Sequence, residues 1–412
     1  MYPDVKFEYY PEINDAVLRD SINIIKNNKS NWDHPFFFDT KTYLDIKKIQ
    51  QATKQFFSDD LKNIIVLGTG GSIQTLLALK HLAKKKIFPV TSSRAVELKG
   101  CLDKTSAEDS VVIPISRGGE TLDVNSTIGI FLQRGYKFLG LSSAGKMYDI
   151  LKKINCPILD VPNLSGRYAG SVTNVSIIPA YLAGIDVEAF LKGLEDSYKI
   201  FQKYERHIAL ELSTFLFNLY KKGYKMIFSM PYSKNLEGSV GLWVQGISES
   251  TGKDEKGMIG TYQSAPICQH SVLEYLLGGT KGVAIPILWI IDNEFPDIIL
   301  NSSISYVDGY SGQTIVNYQA NATFQALIQQ KVPSAKITIE NPSEYNIGGL
   351  IAFVLTSVYY LCLLINVNWA SNPKVFIGKE ICIEALREKN ISDNAQKIRK
   401  NIAKEKFGTF FD

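Results

Sequence analysis

The stretch VVIPISRGGETLDV, Val111 to Val124, runs from a β-branched apolar segment into Ser116, Gly118, Gly119 and Thr121, and then into residues that fit a helix. Such a junction can be no more than a turn between a buried strand and a helix. It also has the chemistry of an anion site. Glycines let backbone N–H groups approach a ligand closely, and a helix N-terminus adds partial positive charge. Ser116 and Thr121 add hydroxyl donors, and Arg117 adds a full charge. A second junction of the same kind stands at LGTGGSIQT, Leu67 to Thr75, with Gly68, Gly70, Gly71 and Ser72. Neither has the G-x-x-x-x-G-K-[ST] pattern of a nucleotide loop, and Ile73 breaks the G-x-G-x-x-G dinucleotide fingerprint. Either loop alone reads equally well as tight-turn glycine. Two, both at strand C-termini of one presumed sheet, favour a ligand, and hydroxyls with one arginine suit a phosphate monoester.

Outward from these loops the pattern repeats. KNIIVLGTGGSIQTLLALKHLAKK and SVVIPISRGGETLDVNSTIGIFLQRG each read as strand, glycine turn and helix, and YKFLGLSS and CPILDVP add short apolar strands. Alternation at this spacing predicts a parallel, doubly wound α/β sheet. A helical stretch from Val187 to Gly223 separates it from a second run of strands at YKMIFSMP, GVAIPILWII and AKITIE, with a helix through GSVGLWVQGISES. Residues 1–55 carry helical spacing in DAVLRDSINIIKNN and YLDIKKIQQATKQFF and read as a helical leader; a charged terminal helix closes the chain.

Composition narrows the classes. The 412 residues are 45% hydrophobic and 21% charged, which fits a globular chain of two or three domains rather than a disordered one. Forty-five basic against 41 acidic side chains leave a net charge of only +4, so nothing global points to nucleic acid. The five cysteines (Cys101, Cys156, Cys268, Cys362, Cys382) are widely spaced without a CxxC pair, as expected of reduced thiols in the cytoplasm rather than of a disulfide framework or zinc site. No signal peptide is read at the N-terminus. No charge occurs between Tyr345 and Pro373, a length that fits a membrane span; Thr356, Ser357, Tyr359 and Tyr360 in its middle favour a fully buried helix instead.

With these motifs in hand the chain resembles a known family. GTGGS and SRGGET resemble the phosphosugar loops of the sugar-isomerase (SIS) fold. SGRYAGSVTNVSIIPAYLAGID, Ser165 to Asp186, is similar to a segment of the glucose-6-phosphate isomerase family, and WVQGISESTGKD, QHSVLEYLLGGTKG and SEYNIGGLIAF follow in that family's order. The resemblance spans roughly residues 60–385. It implies two SIS-type domains, at 56–190 and 205–370, between the 1–55 leader and a C-terminal helical arm at 371–412. It also implies a homodimer with shared active sites, a phosphosugar substrate, and reversible aldose–ketose isomerisation without cofactor or metal. Alternatives are an isomerase that also accepts mannose 6-phosphate, and a non-catalytic phosphosugar-binding regulator.

Isomerisation requires ring opening, a base that moves a proton between C2 and C1, and stabilisation of the enediol charge. By local sequence Glu249 is an ordinary helix carboxylate; the resemblance makes it the base, with Gln245 a substrate contact one helical turn earlier. His270, structural by default like His81 and His207, matches the ring-opening histidine contributed by the neighbouring subunit, and imidazoles exchange protons near neutrality. Arg167, beside Gly166, matches the arginine near the enediol oxygens, and Lys379 the lysine assisting ring opening, with Lys374 a nearby competitor. Gly71, Ser72, Ser116, Arg117, Gly118 and Thr121 would hold the phosphate. Two departures stand out: Gly118 replaces the family's usual Ser or Thr, and Asn372 a glutamine. A regulator would have no need of Glu249, His270 and Lys379 together.

Overall fold

A computed structural model describes residues 3–387. The chain divides into two compact units, Met1–Ser371 and Asn372–Asp412; in the second, Val375–Arg387 is a helix with no buried residue.

Among the described residues of the first unit the strands are β1 (Val5–Tyr10), β2 (Asn63–Leu67), β3 (Lys86–Val90), β4 (Ser110–Pro114), β5 (Lys137–Phe138), β6 (Gly140–Leu141), β7 (Ile158–Leu159), β8 (Met226–Pro231), β9 (Ile259–Tyr262), β10 (Ala284–Ile291) and β11 (Ser334–Ile339). One sheet has the order β3-β2-β4-β5, all parallel, and the two-stranded β6-β7 sheet continues it through a parallel bridge from Ile115 to Leu141. The other has the order β1-β11-β10-β8-β9, parallel except for β1. β2 and β4 are buried at every residue, which is why they read as unbroken apolar runs rather than alternating ones. The fold is therefore the predicted doubly wound α/β type.

Three strands depart from the sequence reading. Val5–Tyr10 is not part of a helical leader. Its burial alternates, with Val5 and Phe7 half-buried and Lys6 and Glu8 exposed, and it pairs antiparallel with β11 from Val5↔Ile339 to Tyr10↔Ser334. That period of two is an edge-strand signature in a segment otherwise followed by helices at Asp15–Asn28 and Ile46–Thr53. β3 and β9 were not expected as strands. β3 carries Pro89, which argues against a strand and is tolerated only because β3 lies at the edge of its sheet, and β9 is short, partly exposed and without an apolar run.

The uncharged segment forms the Glu344–Ile365 helix. It is capped by the Ser343 side chain accepting from Asn346 N–H and ended by Asn366 in the left-handed region at φ 56°. Every residue from Asn346 to Ile365 is buried, against the Asp15–Asn28, Val187–Phe201, Ile208–Lys221 and Glu237–Thr251 helices. Its apolar surface is covered by the protein itself. The close fit is backbone on backbone: a Cβ on Gly348 would lie 2.3 Å from Phe190 O, and one on Gly193 would lie 2.0 Å from Tyr345 O. Backbone cannot yield as a side-chain end can. Gly348→Ala is therefore expected to cost about 2 kcal/mol or more, in the range of core overpacking, measured by urea unfolding. A wild-type midpoint would contradict this account of the crossing.

Candidate active site

β2 and β4 lie side by side in register, Leu67 opposite Pro114, while β3 and β5 continue the sheet in opposite directions. The two glycine loops thus leave the C-terminal ends of neighbouring strands at the point where the winding reverses, the usual ligand crevice of such sheets. The helices after them are short, Gln74–Leu79 and Leu122–Asn125, so their dipoles are weak and the loops themselves carry most of the donors.

The second loop packs tightly against the backbone at Ala144 and Gly145. Gly119, at φ +65°, lies where a Cβ would stand 2.3 Å from Ala144 O. Within it Ser116, 3% exposed, shares a 2.8 Å hydroxyl–hydroxyl bond with Thr121, and Thr121 N–H donates to Ser116 Oγ at 3.4 Å. Arg117 is exposed and donates to Leu164 O at 3.1 Å, tying this loop to the segment that enters Arg167. No atom stands within 4 Å of a Cβ on Gly118, so a larger side chain fits there without strain.

The first loop meets that same segment. Gly71 packs so closely on Gly166 that a Cβ would sit 2.4 Å from Gly166 C and 2.6 Å from Arg167 N. A Cβ on Gly70 would lie 3.3 Å from Gln245 Nε2. Arg167 is 3% exposed, and a guanidinium so buried must have its donors satisfied. Nε donates to Ser250 Oγ at 3.1 Å, Nη1 to Glu249 Oε2 at 2.8 Å, and Nη2 to the carbonyls of Trp369, Ala370 and Ser371 at 3.0, 3.2 and 3.4 Å. Gln245 Nε2 donates to the other Glu249 oxygen at 3.1 Å. The Glu249 carboxylate is thus held from both sides with its side chain still 30% exposed. Gln245 Oε1 is buried without a protein partner among the described residues.

Packing explains why the backbone carbonyls face Arg167. Trp369 is fully buried, meets the Tyr168 ring edge-on at 4.6 Å between centroids, and donates through Nε1 to Asp33 O at 3.1 Å. Phe37, from the leader, lies against both rings. Gly238 lets the Glu237–Thr251 helix, which carries Gln245 and Glu249, lie against the Gln74–Leu79 helix of the first sheet, since a Cβ there would be 2.2 Å from Leu77 O.

The structure therefore brings together Gly71, Gly166, Arg167, Gln245 and Glu249, and sets Ser72, Ser116, Arg117, Gly118 and Thr121 on the two adjoining loops. It does not bring in His270, which is exposed at the start of the Gln269–Gly278 helix and is not a partner of Arg167. Lys379 and Lys374 belong to the second unit; Lys379 is exposed, with Nζ over the Phe376 ring at 5.6 Å. Sequence reading overlooked Ser250, Lys253 and the 369–371 carbonyls. Ser250 and Lys253 sit inside the same ISESTGK string as Glu249, and that adjacency was the available signal; main-chain acceptors leave none.

No protein-family model matches the chain. It is 27% identical over 348 residues to the glucose-6-phosphate isomerase of Methanocaldococcus jannaschii, covering 79% of this chain and 85% of that one. Among solved structures, a hypothetical protein of Thermus thermophilus superposes with a TM-score of 0.81 at 18% identity, covering 92% of this chain and all of the other. A glucose-6-phosphate isomerase of Chlamydia trachomatis superposes at 0.77 and 17% identity, covering 98% and 92%. The chain therefore shares its α/β fold with these solved structures. By sequence it is similar to glucose-6-phosphate isomerases over most of its length.

If the Ser116 and Thr121 hydroxyls hold a phosphate ester, the Ser116→Ala/Thr121→Ala double variant should bind a hexose phosphate at least about tenfold more weakly, the loss expected for hydrogen bonds to a charged group. Calorimetric titration reads this directly, and unchanged affinity would move the phosphate elsewhere.

Proposed function

We propose that the protein interconverts glucose 6-phosphate and fructose 6-phosphate by ring opening and proton transfer through a cis-enediol, in the cytoplasm and without a cofactor. The observation that carries this reading is the Glu249 carboxylate held between Gln245 and the buried Arg167 directly beside the glycine loop. Glu249 abstracts the proton at C2 and returns it at C1. Arg167, fixed by its other bonds, keeps its charge where the enediolate oxygens develop negative charge, with no reorganisation needed during the reaction. The loops carrying Ser72, Ser116 and Thr121 hold the phosphate and so orient C1 and C2 against Glu249.

Ring opening is assigned to His270 and Lys379. His270 acts across a homodimer in this reading. The Gln269–Gly278 helix has no buried residue; Val272, Leu276 and Leu277 rest on the chain's own core, but Ile267 just before the helix and Tyr275 within it are 69% and 48% exposed. A second copy covering this face removes that apolar surface from water and delivers the imidazole to the neighbouring site. Sedimentation velocity should accordingly give a dimer; a monomer at micromolar concentration with full activity would exclude a shared site.

The central test is Glu249→Gln, which keeps the shape and the hydrogen-bonding ends but cannot take the proton. A loss of about 10²-fold or more in kcat is expected for removal of a general base, with hexose phosphate binding retained and exchange of solvent deuterium into C2 abolished. His270→Ala should slow turnover of the closed ring more than of the open sugar. Wild-type isomerisation and exchange in Glu249→Gln would rule out Glu249 as the base.

A further inference from the structure

The Glu237–Thr251 helix ends in carbonyls that no later turn of the helix can satisfy, and this end carries partial negative charge. Lys253 turns back over it. Its Nζ donates to Glu249 O at 2.8 Å and to Ser250 O at 2.5 Å. These are the main-chain atoms of the two residues whose side chains meet Arg167, Glu249 through Oε2 and Ser250 through Oγ. One ammonium thus grips, from the backbone side, the same dipeptide that the guanidinium grips from the side-chain side. We propose that Lys253 is a positioning residue for the isomerisation: its ammonium clamps the end of this helix, so that the Glu249 carboxylate stays aligned between Gln245 and Arg167. The proposal rests on Glu249 being the base.

Lys253 is not itself placed on the substrate; it acts through the helix end. Without its donors two half-buried carbonyls lose their cationic partner, the last turn is free to fray, and the angle of Glu249 toward C1 and C2 is no longer defined. Misplacement of this kind lowers the rate of the chemical step while leaving the phosphate loops untouched. The groups that face the ammonium are Arg167, Cys362 on the Glu344–Ile365 helix, Glu249 and Asp254. Burial is the main effect and pushes the Lys253 ammonium down to about 8; Arg167 acts in the same direction, and Glu249 and Asp254 oppose it. The Cys362 thiol is itself pushed up by burial, to about 12, so it is uncharged at that pH and does little. The clamp is therefore charged at neutral pH and loses its charge as pH rises through about 8.

The experiment compares full-length Lys253→Met and Lys253→Arg with the wild type, measuring kcat and KM from pH 6 to pH 10 and checking each fold by thermal unfolding. Lys253→Met should lose about tenfold or more in kcat, keep KM within about threefold, and lack the fall in activity above about pH 8. Lys253→Arg should regain most of kcat, with the alkaline fall moved to higher pH because a guanidinium keeps its charge. Wild-type kcat and pH profile in Lys253→Met overturn the clamp. If that variant does not fold, an unshifted alkaline limb in folded Lys253→Arg overturns it equally. Glu249→Gln, run in parallel, separates the two claims. An active Glu249→Gln defeats the base assignment and the clamp together, whereas an inactive Glu249→Gln beside a fully active Lys253→Met defeats the clamp alone.

Discussion

A buried guanidinium is the constraint around which this protein is organised. Taking Arg167 out of water is tolerable only if its charge and donors are answered by fixed partners, and loss of a partner from such a buried pair costs several kcal/mol. The partners come from separate parts of the first unit: Glu249 and Ser250 from one helix, and the carbonyls of Trp369, Ala370 and Ser371 from the chain beyond another. Each must arrive within hydrogen-bond reach, so the packing of those parts is dictated by Arg167 as much as it dictates where Arg167 sits. The aromatic contacts among Phe37, Tyr168 and Trp369 serve this end, holding the 369–371 segment rigid with its carbonyls toward the charge.

The same arrangement makes the site a joint between the two halves of the fold. The glycine loops belong to the first sheet and the Gln245–Glu249 helix face follows β8 of the second. Glycine permits the close approaches, at Gly71 on Gly166 within the first half and at Gly238 on Leu77 between the halves. These glycines thereby bring a carboxylate, a guanidinium and an amide together beside the first glycine loop.

Burial and exposure divide the proposed machinery into two kinds of part. Arg167, Gln245 and Glu249 are positioned within the first unit, by contacts that a single chain can make. His270 is presented on a helix with no buried residue, and Lys379 on the exposed helix of the second unit. Groups of the first kind suit charge stabilisation, where fixed geometry matters most. Groups of the second kind suit ring opening, where a proton is exchanged with an oxygen that itself moves.

The amino-acid sequence by itself determined the α/β class, the strands β2, β4, β8, β10 and β11, the two glycine loops and the buried nature of the uncharged helix. These are local properties, because a strand buried on both faces must be apolar throughout and a loop that turns sharply needs glycine wherever it stands. Motif order also singled out Arg167, Gln245 and Glu249 as candidates. Tertiary structure alone decided that Arg167 pairs with Glu249, that Val5–Tyr10 is an edge strand of the distant second sheet, and that the loop helices are short. It alone turned the main-chain oxygens of Trp369, Ala370 and Ser371 toward Arg167 and set Lys253 over the carbonyls of Glu249 and Ser250. The physical reason is common to all of these. Backbone carbonyls are present at every residue and sheet edges accept any extended segment, so which ones are used depends on what the rest of the chain brings beside them.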